Sequence, residues 1–288
     1  MASELVYPMT LDLERRKGDI DGLLQQAALA LGSERPRDAE QIAATVLKSN
    51  PRHPRALYIF GSALLMQGRT HESLAPLESA AHGRHDAEFD TMLAIALQRV
   101  GRNDDAIRRL KLATKRRPPH AAAFKELGAL LAALGRYDEG IAVLKRGIEI
   151  APMVPRLAIE LGYALLNRRR CNDAKAAFAH ALALAPSSPD ALFGMAKSHQ
   201  EIGESAEAAE YFRRCLVNSP SNDTLWLGLG HCLLELGQLD AGYECFRMAA
   251  RGDPKRCGKA LNSLAAAARG RFWLKASAAT RFLQGAKS

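Results

Sequence analysis

The sequence predicts an all-α protein built as a stack of repeated helical hairpins, and three observations predict this class. A proline recurs every 34 residues, at Pro118, Pro152, Pro186, Pro220 and Pro254. Small residues recur in phase with these prolines. Aromatic residues make up only 6% of the 288 residues, so Ala and Leu must do most of the packing. Such packing favours helices over a β-sandwich, and a fixed period of this length is typical of a solenoid.

The period divides most of the chain into seven repeats, of which the second is one residue shorter than the others. Residues 1–19 precede them as an N-terminal segment or cap, in which Thr10 and Asp19 are the expected helix N-caps. Residues 257–288 follow as C-terminal capping helices, one over Cys257–Ala268 and a shorter one over Arg269–Leu283. The repeats are 20–53, 54–86, 87–120, 121–154, 155–188, 189–222 and 223–256.

Each repeat begins with a first helix, and the prolines at the starts of three repeats suit the first helical position. Numbered from the start of a repeat, slots 8, 20 and 27 carry mostly small residues, which let two helices approach closely. Slot 24 is large and apolar in six repeats, and slot 7 is usually Leu, Met or Phe. Slot 15 should be the turn between the helices, because it is glycine in five repeats and a positive φ there favours glycine. These glycines are Gly68, Gly101, Gly135, Gly203 and Gly237.

The chain resembles the tetratricopeptide repeat family, whose pattern is W-x2-L-G-x2-Y, then A-x3-F, then P. The best match within one repeat consists of Trp226, Leu229, Gly230, Phe246 and Pro254. The sequence departs from the pattern at slot 11, where Leu replaces Tyr in five repeats, and in the first repeat, which has no glycine turn. The resemblance implies a right-handed superhelix whose first helices line a concave groove with slots 2, 5, 9, 12 and 13.

Those slots give a candidate peptide-binding surface in which apolar and aromatic anchors alternate with cations. The expected occupant is an acidic or mixed acidic and apolar segment of another protein. Leu24, Ala28, Ile59 and Met92 occupy the slots from which some family members hold a partner's C-terminal carboxylate, so binding of that kind is disfavoured. The candidate residues are Arg55, Tyr58, Met66, Ile95, Arg99, Lys125, Arg156, Tyr163, Asn167, Phe193, Lys197 and His231.

Several other motifs are better explained by structure than by chemistry. The pair His82 and His85 lies at a helix end without an acidic or thiol ligand. Gly228 and Gly230 fall inside a predicted helix, whereas a dinucleotide-binding loop would follow a strand. The five cysteines contain no C-x-x-C pair and are expected to pack as small hydrophobic residues. No catalytic residue, metal or cofactor is therefore expected.

The leading hypothesis is a non-enzymatic protein-interaction scaffold. The net charge of +9 favours anionic partners, so single-stranded RNA binding stays open as an alternative. A regulatory or targeting subunit of a separate enzyme is the third possibility. The basic clusters 115–117, 168–170 and 213–214 are more simply explained by solvation and by the helix dipole.

The sequence has no signal-peptide pattern and no apolar run long enough to span a membrane, and its cysteine usage fits a reducing compartment. We therefore expect a cytoplasmic protein. The Arg-rich and Ala-rich usage is typical of GC-rich bacterial genomes, so a bacterial source is expected.

Overall fold

The computed structural model describes residues 7–83, 86–251, 254–266 and 283. Over these residues the secondary structure is helical, with no strand, which confirms the predicted all-α class. None of the helices in this part of the chain combines the length and the apolar character needed to cross a membrane. The helices are α1 Tyr7–Gly32, α2 Pro36–Ser49, α3 Pro54–Met66, α4 Thr70–Ala81, α5 Ala87–Arg99, α6 Asn103–Ala113, α7 Ala121–Ala133, α8 Tyr137–Ile150, α9 Pro155–Asn167, α10 Cys171–Leu184, α11 Pro189–Glu201, α12 Ser205–Asn218, α13 Asp223–Glu235, α14 Leu239–Ala250 and α15 Pro254–Ala266.

Odd-numbered helices are the first helices of the repeats, and even-numbered helices are the second helices. The first helices of repeats two to seven, α3 to α13, begin at the residues where the sequence places the repeat starts. The five slot-15 glycines between the helices have φ values of 76° to 81°, as predicted for this turn. Two residues other than glycine, Glu34 and Arg169, occupy the same slot with φ of 56°.

Both ends of the described chain differ from the sequence expectation. Helix α1 begins at Tyr7 and runs through the predicted start of the first repeat, so the assignments of Thr10 and Asp19 as N-caps are wrong. Helix α15 begins at Pro254, three residues earlier than expected, because proline is well tolerated at the first helical position. The predicted last helix, over 269–283, lies outside the described residues except for Leu283. That side chain is 3% exposed and packs in a cluster with Leu234 and Phe246.

The chain divides into two compact bodies, residues 1–131 and 132–288. In the N-terminal body α1 packs on α2, α3 on α4, and α5 on α6, and successive hairpins are joined through α2 with α3 and α4 with α5. In the C-terminal body each helix from α8 to α14 packs on the helix that follows it. First helices also contact one another: α3 contacts α5, and α9 contacts α11. Each body therefore presents a surface made of first helices.

The hairpins approach closely where glycine faces a buried aromatic ring. Phe178, in slot 24, is fully buried. A Cβ at Gly162 in the same repeat would lie 2.6 Å from its ring carbons, and a Cβ at Gly194 in the next repeat would overlap the same ring. Phe212 meets Gly228 in the equivalent way. The small residues at slots 6 and 8 therefore set the spacing between neighbouring helices.

Candidate interaction surface on the first helices

In the N-terminal body, Arg55 and Tyr58 of α3 contact α5. The guanidinium of Arg55 lies 2.9 Å from the Glu88 carboxylate and 5.2 Å from the centre of the Tyr58 ring. That ring stacks on Phe89 with centres 4.9 Å apart. Tyr58 is only 8% exposed, and its burial raises the pKa of its hydroxyl. Tyr58, a candidate anchor of the predicted binding surface, therefore packs between the two helices and exposes little of its ring.

The other sequence-predicted residues of this body are dispersed. Met66 is 48% exposed at the end of α3, and Ile95 is half-buried on α5. Arg99 donates a 3.0 Å hydrogen bond from Nη1 to the carbonyl oxygen of Leu65, near the C-terminal end of α3. Lys125 forms an ion pair with its neighbour Glu126. Arg99 and Lys125 thus already have partners within the chain.

In the C-terminal body, Arg156 and Tyr163 of α9 converge on Asp190 of α11. Arg156 lies 2.5 Å from the Asp190 carboxylate and 3.2 Å from that of Glu160. The Tyr163 hydroxyl donates a 2.8 Å hydrogen bond to the backbone carbonyl of Asp190, and its burial raises its pKa. Asn167, the fourth predicted residue of this helix, is exposed. These contacts stabilise the joint between two successive first helices.

The structure brings Phe193, Lys197 and His231 together in one cavity of about 750 Å³, which α11, α13 and α15 surround. Its apolar part includes Phe193, Phe212 and Leu227. Phe193 meets the Phe212 ring edge to face, with centres 6.2 Å apart. Gly228 also lines the cavity, and the Phe212 ring fills the space that a Cβ at Gly228 would occupy.

The polar groups of this cavity are held in place by neighbours. His231 Nε2 lies 2.6 Å from the Ser263 hydroxyl, and the imidazole packs edge to face on Phe246. Burial, followed by the positive charge of Lys197, lowers the His231 pKa, so the ring is neutral at pH 7. Lys197 donates a 2.9 Å hydrogen bond from Nζ to the side-chain oxygen of Gln200. Sequence reasoning missed Ser263, because its place depends on where α15 packs.

A second cavity, of about 380 Å³, lies between α8, α9 and α10. Its lining includes Lys145, Asp173 and His180 from the second helices and Leu161 and Leu165 from α9. Its volume is about half that of the cavity between α11, α13 and α15.

The basic clusters pair largely with neighbouring groups of the protein. Arg168 lies 3.1 Å from Asp138, Arg170 lies 2.7 Å from Asp173, and Arg213 lies 3.6 Å from Glu210. Solvation alone does not account for Arg116, whose guanidinium lies 3.2 Å from the Asp90 carboxylate. The Asp90 side chain is 1% exposed and also pairs with Arg109. The only signal for this ion-pair cluster is that slot 4 is apolar in every other repeat.

A second polar cluster missed by sequence reasoning surrounds His199, which occupies slot 11 where most repeats have Leu. Its Nδ1 lies 2.5 Å from a carboxylate oxygen of Glu204, which also accepts a 2.6 Å hydrogen bond from Lys175. The imidazole stacks on the Tyr211 ring. The hydrogen bond from Lys175 contributes most to lowering the pKa of Glu204. This cluster ties three helices together, α10, α11 and α12.

The described cysteines behave as buried apolar side chains. Cys171, Cys215, Cys232 and Cys245 are free and buried. Burial raises the pKa of the last three thiols to about 11, which keeps them protonated at pH 7. Among the described residues, no group of three or more His, Cys, Asp and Glu side chains is placed to hold a metal ion.

A family model for the tetratricopeptide repeat matches residues 24–87, 91–155, 159–223 and 193–256, and thus covers more than half of the chain. No curated protein matches the sequence at a significant level.

Solved helical-repeat structures share the fold at low sequence identity. The PilF structure from Pseudomonas aeruginosa is 22% identical with a TM-score of 0.61, covering 69% of this chain and 90% of PilF. A tetratricopeptide repeat protein from Parabacteroides merdae is 16% identical with a TM-score of 0.59, covering 85% and 98% of the two chains. A chain of the APC/C hetero-tetramer Cut9-Hcn1 is 14% identical with a TM-score of 0.67, covering 83% of this chain and 48% of that chain.

Proposed function

Because this chain belongs to the tetratricopeptide repeat family, we propose that it is a non-enzymatic scaffold that binds a segment of a partner protein on its first-helix surface. It would contribute position and local concentration to its partner, without chemistry of its own. The similarity to a chain of the Cut9-Hcn1 complex is in keeping with this role, since that solved structure is an assembly of two kinds of protein.

The observation that carries the proposal is the cavity between α11, α13 and α15. Three residues that the sequence places on the binding surface line it together, and its volume of about 750 Å³ is within the range of ligand sites. Half-buried Phe193 and Leu227 form part of its wall, and aromatic side chains are enriched in protein interfaces. The cavity therefore offers an anchoring point for one stretch of a longer bound segment.

The charges on the surface indicate the chemistry of the expected partner. Arg55 and Arg156 are paired with acidic residues of the next repeat, so a partner gains less from meeting them than from meeting an unpaired cation. The same pairing in the basic clusters weakens the case for single-stranded RNA, which needs cations free to contact phosphates. A mixed apolar and acidic segment is the partner that we propose.

A matched pair of variants tests the surface. Leu227→Arg places a charge on the cavity wall, whereas Val217→Arg places the same charge on α12 at a side chain that is 81% exposed. We expect partner proteins captured from a lysate to fall about tenfold with Leu227→Arg and to stay at the wild-type level with Val217→Arg. Circular dichroism should show equal helicity for the two variants.

Other results of this capture experiment would contradict the proposal. Equal partner recovery by both variants would exclude this cavity from the binding surface. Recovery of RNA that dissociates steeply with added salt would favour the nucleic-acid alternative instead. A single enzyme recovered in fixed proportion, whose activity changes on binding, would identify a regulatory subunit.

A further inference from the structure

Building on the proposed function, we infer that the cavity between α11, α13 and α15 is a subsite for a carboxylate beside a large apolar side chain. The carboxylate would pair with Lys197. The apolar side chain would lie against Phe193 and Leu227. Each part of the cavity would thus recognise a different group of the partner segment.

The apolar half of the subsite is formed by rings and aliphatic groups that are only partly covered by the rest of the protein. Phe193 is half-buried and packs on a core cluster that contains Phe212. Leu227 is half-buried and packs on the cluster around Phe246. Covering these exposed parts removes apolar surface from water, which stabilises the complex.

Lys197 differs from Arg55 and Arg156 of the first helices in the group that it contacts. Arg55 and Arg156 each face a carboxylate of the next first helix, at 2.9 Å and 2.5 Å. Within the described residues, the hydrogen-bond partner of Lys197 is a neutral amide oxygen, that of Gln200. Lys197 therefore keeps its full charge at the cavity, where a carboxylate of a bound segment can replace the amide.

Two acidic side chains, Glu201 and Glu235, also line the cavity, and each has a partner within the protein. Glu201 lies 4.0 Å from Arg169. His231 is hydrogen-bonded to Ser263 and neutral, so it adds no competing charge. A segment carrying a cation would lie beside Lys197 and be repelled, whereas a carboxylate would be attracted.

Selection from a random peptide library displayed on phage tests the inference on the full-length protein. We expect the enriched peptides to share an aromatic or large aliphatic residue within a few positions of Asp or Glu. Selection on Lys197→Gln should keep the apolar residue and lose the acidic one. Selection on Arg213→Gln, which removes a cation from the second helix α12, should reproduce the wild-type consensus.

Synthetic peptides with the wild-type consensus then measure the contribution of Lys197. Replacing Lys197 by Gln should weaken binding about fivefold to tenfold at low salt, and the difference should shrink at high salt. Peptides with a free C-terminus and with an amidated C-terminus distinguish a side-chain carboxylate from a terminal one. The inference is the same for both, because Lys197 would bind either group.

The outcomes separate this inference from the proposed function. The selected peptides could bind the wild type and fail to bind Leu227→Arg, yet show no preference for acidic residues or bind Lys197→Gln equally well. Either result would refute the subsite and leave the scaffold role intact. Failure to enrich any peptide above the Leu227→Arg background would refute both. A dimer that forms in the wild type and disappears with Leu227→Arg would make a second copy of the chain the occupant and would also refute the subsite.

Discussion

The turn between the two helices of a repeat places one residue in the left-handed region of backbone conformation. Glycine supplies it in most repeats, but Arg169 holds a φ of 56° in the same slot. A side chain in this conformation costs about 1 kcal/mol, because its Cβ approaches the following carbonyl oxygen. The ion pair of Arg169 with Glu201 offsets little of this conformational cost, because the two groups are 4.0 Å apart and the arginine is 88% exposed.

Arg169→Gly should therefore raise the free energy of unfolding by about 0.5 kcal/mol, after allowing for the greater entropy of glycine in the unfolded chain. Urea denaturation followed by circular dichroism measures the change. The control is Gly203→Ala, which imposes the opposite change at a φ of 81° and should destabilise by about 1 kcal/mol. A stability of Arg169→Gly below that of the wild type would contradict the strain assigned to this turn.

The buried carboxylate of Asp90 is the second feature at the residue scale. It faces Arg109 at 3.3 Å and Arg116 at 3.2 Å, and both guanidiniums are partly exposed. Removing one member of such a cluster leaves the others without compensation in a partly dry environment. Asp90 thus fixes the segment after α6 against α5.

Asp90→Asn should lower the free energy of unfolding by about 1 to 3 kcal/mol, less than for a fully buried pair because water reaches the arginines. The comparison is Asp138→Asn, which removes an equally close partner of Arg168 at an exposed site and should cost under about 0.5 kcal/mol. If urea denaturation gives the same loss of unfolding free energy for the two variants, burial of Asp90 adds nothing to the strength of its ion pairs.

At the scale of elements, the helices are matched to one another by pairs of large and small residues. Where slot 24 is Phe in repeats five and six, slot 6 of the next repeat is glycine, as in Phe178 with Gly194 and Phe212 with Gly228. Where slot 24 is Leu, slot 6 of the next repeat is a larger residue, as in Leu144 followed by Glu160. The ring of the neighbouring helix fills the space that a side chain at the glycine would occupy.

Gly194→Ala should lower the free energy of unfolding by about 1 to 3 kcal/mol, because its Cβ would overlap the buried Phe178 ring. Gly22→Ala is the matched control in helix α1, since a Cβ there meets nothing within 4 Å. That change should stabilise the protein by about 0.5 to 1 kcal/mol through helix propensity. Melting temperatures that shift in the same direction for the two variants would contradict the close packing of Gly194 against Phe178.

The turns between the two helices of a repeat share a second recurring pattern. An arginine in slot 16, just before the second helix, pairs with an acidic residue three positions later, as Arg102 does with Asp105 and Arg136 with Glu139. None of these arginines forms the side-chain hydrogen bond of an N-cap. The acidic residue lies in the first turn of the helix, where the dipole favours negative charge.

For the whole molecule, the net charge is concentrated at one end of the sequence. Residues 251–288 contain nine Lys and Arg against one Asp, whereas residues 1–250 contain 31 Lys and Arg against 30 Asp and Glu. The overall charge of +9 is therefore a property of the last part of the chain. Long-range attraction of an acidic partner should originate there, and it should affect the rate of association more than the final affinity.

Reversing two exposed charges, Arg251→Glu with Arg256→Glu, should slow the association of an acidic peptide several-fold at about 20 mM salt and have little effect at about 300 mM salt. Stopped-flow fluorescence measures these rates. The comparison variant, Arg35→Glu with Arg37→Glu, changes the net charge equally in the balanced part of the chain. Equal slowing by both variants would show that net charge alone sets the rate.

Of the candidate surface, the sequence predicted individual residues but few of their contacts. Phe193, Lys197 and His231 line one cavity, while Tyr58 is buried against Phe89 and Arg156 is paired with Asp190. A slot number states which side of a helix a residue occupies. It contains no information on the side chain that the next repeat places opposite.

The sequence by itself determined the helices of repeats two to seven, their turns and the family, because a period of 34 residues with small side chains and glycines in fixed slots permits few other packings. Only the tertiary structure decided which charges are neutralised, which rings are covered and where a cavity remains. These depend on side chains far apart in the sequence, such as His231 with Ser263 and Asp90 with Arg116, and on the close packing that brings them within bonding distance.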